Sequence, residues 1–150
     1  KELPVAKTRL GLPDELRMSL ALAMACDVVA ACVACPSVAG VLVVTNDLRA
    51  AAALEPLGAR IVADTADAGL NPALADGARY AGVFWPRAGV ASVSSDLPCL
   101  RPAELASALG AAAAVLSDRR QSRIDSPADN SQRNGPVDGC WHALDYGYFY

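Results

Sequence analysis

The run VAGVLVVT, residues 38–45, restricts the fold more than any other stretch of the chain. It is apolar and rich in β-branched residues, with no polar residue on alternate positions. Such a run needs cover on both faces, which is the situation of a central strand in a parallel sheet. The segments around it alternate. Pro13 followed by Asp14 and Glu15 reads as a helix start, with acids facing the positive helix end. That helix is expected to run to about Cys35, where Pro36 stops it, and its apolar residues on most sides call for cover. After the run, Asp47 opens a second helix that ends near Gly58, and ARIVAD (59–64) is the next strand. The loop TADAGLNP leads into a helix over about 73–80, and GVASVSSD (89–96) forms another strand. Pro102 and Glu104 open a further helix, and residues 114–117 are expected to form a last short strand before Asp118. The pattern predicts an α/β fold, an open, mostly parallel sheet with helices on both faces. Ligands of such sheets bind at the carboxyl ends of the strands, here the loops 65–71 and 94–100.

The 150 residues suffice for one domain, and with 53% hydrophobic against 19% charged residues the material for a core is present. A net charge of −3 argues against a broad basic surface, so no nucleic acid is expected as a partner. The apolar stretch 18–44 invites a membrane reading. Asp27, Pro36 and Gly40 interrupt it, and a helix, a turn and a strand account for it better. The expectation is a soluble, cytoplasmic protein without a membrane partner. The five cysteines, Cys26, Cys32, Cys35, Cys99 and Cys140, are odd in number and lie in apolar surroundings, which favours reduced, mostly buried thiols. Cys32 and Cys35 form a C-x-x-C, but one histidine and no second pair make a metal or redox site the minor reading.

Composition changes after Asp118. Alanine is abundant before it and afterwards occurs only at Ala128 and Ala143. The chain therefore divides into an α/β domain over 1–118 and an irregular or altered tail over 119–150, whose aromatic end WHALDYGYFY either docks back as a strand or short helix or stays irregular. The polar candidates lie in the first part. Lys7 and Arg9, with Lys1 upstream, can hold a di- or triphosphate, and a solvated basic segment is the plainer alternative. Asp96 follows a strand and precedes Leu97-Pro98, a place where one carboxylate can hold Mg2+ that also carries phosphate oxygens. Asp64 and Asp118 are expected at the ends of two other strands. Asn71 reads either as a helix N-cap or as an amide presented to a ligand, with Gly69 allowing close backbone approach. Asp27 supports loop amides or is structural, and His142 is a weak general-base candidate.

Several of these segments occur together in a known family. K-E-L-P-V-A-K-T-R-L, LALAMACDVV, ARIVADTADAGLNPAL and SSDLPCLRP resemble the 2-phospho-L-lactate guanylyltransferase family, including its phosphoenolpyruvate guanylyltransferase members. The resemblance covers about residues 1–118. It implies a nucleotidyltransferase-like (Rossmann-like) fold of the glycosyltransferase-A type and Mg2+-dependent guanylyl transfer in biosynthesis of the deazaflavin coenzyme F-420. A phosphorylated three-carbon acid, phosphoenolpyruvate or 2-phospho-L-lactate, would attack the α-phosphate of GTP and release pyrophosphate. By motif position, Lys1, Lys7 and Arg9 would contact phosphates, Lys7 and Asp96 would carry catalysis, and Asp96 would hold the metal with Asp118 as a weaker second. Gly69 and Asn71 would line the nucleotide or acid pocket. A homo-oligomer is left open.

The sequence also departs from that family. A short apolar strand that members carry before the first lysine is not seen ahead of Lys1, Ser95 replaces a glycine before Asp96, and a glycine-threonine repeat and an F-G-x-x-S segment have no match after Asp118. The resemblance therefore leaves a second expectation: an incomplete or inactive relative that binds a nucleotide or a protein partner without catalysis.

Overall fold

The computed structural model describes residues 11–65, 69–124 and 140–146, with 119–124 and 140–146 as backbone. Helix α1 (Asp14–Val33) is followed by strand β1 (Val38–Val44), helix α2 (Leu48–Leu54) and a short 3-10 turn at Glu55–Leu57. Strand β2 (Ala59–Val62), helix α3 (Leu70–Phe84), strand β3 (Ala88–Ser94), helix α4 (Pro102–Ile124) and strand β4 (Cys140–Tyr146) complete the chain. The strands form one sheet in the order β2-β1-β4-β3, and every pairing is parallel. This is the open α/β architecture that the alternation of segments predicts.

Strand β1 holds the two layers together. Val41 and Val43 face α1, α2 and α4, where they pack with Ala25, Val28, Val29, Leu54, Leu105 and Leu109. Leu42 and Val44 face the other way, onto Ala73 and Ala81 of α3. All four strand residues are buried, so the run without alternation is apolar because both its faces are covered. The β1–β4 register shifts between Val38 and Val41, which pair with Trp141 and Ala143, so β1 carries one extra residue there. Gly40 lies in this bulge, and a Cβ at that position would collide with the Trp85 indole.

Helix α1 is long and apolar enough to cross a membrane by length and composition alone. Here it lies on the sheet with Ala21, Ala25, Val28, Val29 and Cys32 buried. Pro36 separates it from β1. Asp27 is on its exposed side. Cys32 and Cys35 are both buried thiols, whereas Cys99 is exposed. Burial, followed by the Asp27 carboxylate, pushes the Cys26 thiol above its ordinary value.

One expectation is corrected. Residues 114–117 are not a strand: α4 continues through them to Ile124, and the boundary placed at Asp118 falls inside that helix. Alanine has the highest helix propensity of any residue type, so through the run from Ala111 to Ala114 the helix started at Pro102 simply propagates. Of the two alternatives for the aromatic end, docking back as a strand is the one found over 140–146. As β4 it occupies an interior place in the sheet, paired with β1 on one side and β3 on the other. Helix α3 lies across β1, β4 and β3.

Candidate functional site at the carboxyl ends of the strands

Parallel strands deliver their following loops to one rim. Thr45, Asn46 and Asp47 follow β1; Asp64 and Thr65 follow β2; Ser95 and Asp96 follow β3. The first two loops are joined. The Thr45 amide donates to the Val62 carbonyl at 2.9 Å, the last rung between β1 and β2. The chain then turns into α2, whose N-cap is Asp47: its Oδ1 accepts from the Arg49 and Ala50 amides at 2.9 and 3.2 Å. Between them, the Asn46 side chain donates to the Asp64 carbonyl and accepts from the Asp64 amide, both at 2.9 Å. The Thr65 hydroxyl donates to Asp76 of α3 at 2.8 Å. This hydrogen bond first, and then Arg79, whose guanidinium lies 3.3 Å from the other Asp76 oxygen, hold the Asp76 carboxyl below its ordinary range.

Gly69 caps α3 with φ of 107°, in the left-handed region that favours glycine, and a Cβ there would meet nothing within 4 Å. Asn71 is therefore not the cap. It stands in the first turn of α3, exposed, at the end of the loop that leads from Asp64. An amide at a helix N-terminus can receive an anionic or polar ligand.

Asp96 is exposed in the turn after β3 and accepts from the Ser94 hydroxyl. Ser95 beside it is buried, and the carboxylate stays on the rim. The Leu100 amide closes the following turn on the Leu97 carbonyl at 2.9 Å, and Glu104 accepts from the Arg101 amide at 3.0 Å to start α4. Strand order puts β1 and β4 between Asp64 and Asp96, so at about 4.8 Å per strand their strand ends lie roughly 14 Å apart. They do not form a carboxylate pair. Among the described residues no group of three His, Cys, Asp or Glu could hold a metal ion. A single carboxylate still suits Mg2+, which keeps waters and takes phosphate oxygens for its remaining positions.

Of the residues singled out in the sequence, the structure brings Gly69, Asn71, Asp64 and Asp96 to the rim. Asp118 is not among them. It lies exposed within α4, so the strand end that would have made it a second metal ligand does not exist. Lys1, Lys7 and Arg9 lie outside the described residues, and His142 is placed on β4 by its backbone. Sequence reasoning missed Asn46. Its one signal was position, a carboxamide directly after the apolar strand and before a capping aspartate.

The chain is 58% identical over 114 residues to a phosphoenolpyruvate guanylyltransferase of Thermomonospora curvata, a match that covers 75% of this chain and 50% of the relative. It is 51% identical over 122 residues to the enzyme of that name from Salinispora arenicola, covering 80% and 55%. With the one from Streptomyces coelicolor it shares 54% over 114 residues, covering 75% and 54%. The chain is a relative of the phosphoenolpyruvate guanylyltransferases. It spans about half the length of the curated relatives it matches. No protein-family model matches it. The rim of strand ends is the part of the fold where a sheet of this kind takes its ligand.

Proposed function

We propose that the chain carries the nucleotide-binding part of a guanylyltransferase, in which GTP and a phosphorylated three-carbon acid react to a diphosphate-linked guanosine product and pyrophosphate, in biosynthesis of coenzyme F-420. The observation that carries the reading is the 58% identity over 114 residues to a phosphoenolpyruvate guanylyltransferase. The placement of Gly69, Asn71 and Asp96 around one rim agrees with it. In the reaction, a phosphate oxygen of the acid forms a bond to the α-phosphorus of GTP while the bond to the β-phosphate oxygen breaks. Little covalent chemistry falls to the protein, which has to align the two phosphates and neutralise their charge.

Asp96 is the residue that would hold Mg2+. Its carboxylate is exposed at a strand end, its Ser94 contact fixes one oxygen, and the donor set of one carboxylate plus phosphate oxygens fits that ion. The ion would supply charge neutralisation at the phosphates. Gly69 admits a ligand close to the backbone, and the first turn of α3 with Asn71 offers the positive helix end and an amide. Lys1, Lys7 and Arg9 would add the cations that a triphosphate requires, and Lys7 would share catalysis with Asp96. The division into 1–118 and 119–150 is functional in this reading: the first part binds the nucleotide, and the second lacks the glycine-threonine repeat and F-G-x-x-S segment of the family's acceptor side.

The test is pyrophosphate release from GTP with Mg2+, run separately with phosphoenolpyruvate and 2-phospho-L-lactate and with ATP as control. Turnover with one acid supports catalysis by this chain, and Asp96→Asn should then lower it by about two orders of magnitude or more, the loss expected for a principal electrostatic contact. Nucleotide binding without turnover favours the second reading, a relative that binds GTP and does not catalyse. The specific observation behind that alternative is that the glycine-threonine repeat and the F-G-x-x-S segment have no match after Asp118. Equal or absent binding of GTP and ATP removes the guanylyl assignment altogether.

A further inference from the structure

We infer that Asn46 is a positioning residue: its side-chain amide takes the place of a strand residue and holds the Asp64 end of β2, and with it the loop that leads to Gly69 and Asn71. The geometry is that of one more rung in a parallel ladder. Backbone pairing between β1 and β2 ends where the Thr45 amide reaches the Val62 carbonyl. Beyond that rung the β1 backbone is lost to the sheet, because Asp47 draws the chain into α2. The Asp64 amide and carbonyl pair with the Asn46 side chain there instead of with the β1 backbone. A primary carboxamide carries one donor and one acceptor on a single edge, the pair of groups a strand residue would present. Asn46 uses both on the same residue, at 2.9 Å each, across 18 positions of sequence. One residue on, Thr65 is fixed to Asp76 of α3. The start of the loop is thus tied to β1 and to α3, and its end is Gly69, the cap of α3.

Asn46 is exposed, so these two hydrogen bonds act locally and leave the buried layers of β1 untouched. Their consequence falls on a ligand received at Gly69 and Asn71, the first turn of α3. The ligand part of the inference rests on the proposed nucleotide site; the splinting part does not. Asp in place of Asn keeps the shape and an acceptor for the Asp64 amide, but loses the donor and sets a negative charge against the Asp64 carbonyl. Ala loses both bonds.

The experiment is made on the full chain with wild type, Asn46→Ala and Asn46→Asp, reading amide hydrogen exchange at Asp64, the thermal midpoint, and calorimetric affinity for GTP with Mg2+. The expected result is faster exchange at Asp64 in Asn46→Ala and retained protection in Asn46→Asp. GTP affinity should fall by about three- to tenfold in both, the range that a lost hydrogen bond spans, with thermal midpoints close to wild type. A merely structural role would lower the midpoints and leave affinity alone, and that result overturns the inference. If Asn46→Ala does not fold, Asn46→Asp decides it: unchanged GTP affinity in that isosteric variant overturns it. Absent GTP binding in wild type is a failure of the proposed function and takes the ligand part with it, while exchange at Asp64 still decides whether Asn46 is the splint.

Discussion

Gly40 shows how a single position is decided by its neighbour across the fold. Replacing a glycine by alanine usually stabilises by about 0.4–1 kcal/mol where the backbone permits it, because the unfolded chain loses freedom. Gly40 does not lie in the left-handed region, so the backbone raises no objection. The indole of Trp85 does, since it sits where the new methyl group would go. Forcing extra volume into a packed contact costs about 1–3 kcal/mol, more than the entropic gain. Trp85 has little room to withdraw, as its ring meets Phe84 edge to face at 5.7 Å and Arg60 stands over both rings. Gly40→Ala is therefore expected to lower stability by about 1–2 kcal/mol, measured by urea unfolding. An unchanged or raised midpoint would mean that Trp85 does not pack on β1.

At the scale of elements, the informative feature is how α3 is tied to the strand before it. Thr65 and Arg79 both serve Asp76, and both favour its charged form, the Thr65 hydrogen bond more strongly. The folded-state pKa is therefore depressed, and the sign follows from linkage. The contribution of Asp76 is fully present above the unfolded-state value of about 3.9 and is lost as pH falls through the lower folded-state value. Asp76→Asn keeps an acceptor for Thr65 and removes the charge. The difference in thermal midpoint between wild type and Asp76→Asn should be constant above about pH 5 and should shrink toward zero in more acidic solution. A difference that grows on acidification would reverse the assignment. The same two elements carry Gly69 and Asn71, so what steadies α3 also steadies the candidate nucleotide site.

For the whole molecule, the last strand in sequence is an inner strand in space. Without β4 the sheet would fall into the β2–β1 pair and an isolated β3, each with an unpaired edge. Helix α3, which lies over β1, β4 and β3, would lose the middle of its platform. A chain ending at residue 139 is expected to lose its cooperative unfolding transition and to associate, measured by thermal melting and light scattering. A monomeric truncated chain with an unchanged transition would show that β4 contributes nothing to the fold. The exposed rim and the pairing of β4 make different demands. The rim needs loops, which tolerate polar residues, and the inner strand needs a partner on each side.

Much of this was legible along the chain. VAGVLVVT declared a strand covered on both faces, Asp47 and Gly58 bracketed the second helix, and the carboxylate after β3 marked the rim. These features are local: β-branching, capping and glycine conformation act within a few residues of themselves, and the hydrophobic pattern states how many faces must be buried. The likeness to the guanylyltransferases was readable for the same reason, since its motifs are short runs of sequence. Residues 114–118 differ from expectation because a short apolar run carries no sign of its period; a helix already under way from Pro102 took it, and Asp118 went with it. The role of Asn46 and the collision at Gly40 depended on residues 18 and 45 positions away. The place of β4 depended on two strands that both precede it. The strand pairings of β4 are made by backbone hydrogen bonds that every sequence can offer, so only the assembled sheet could decide which strands share an edge.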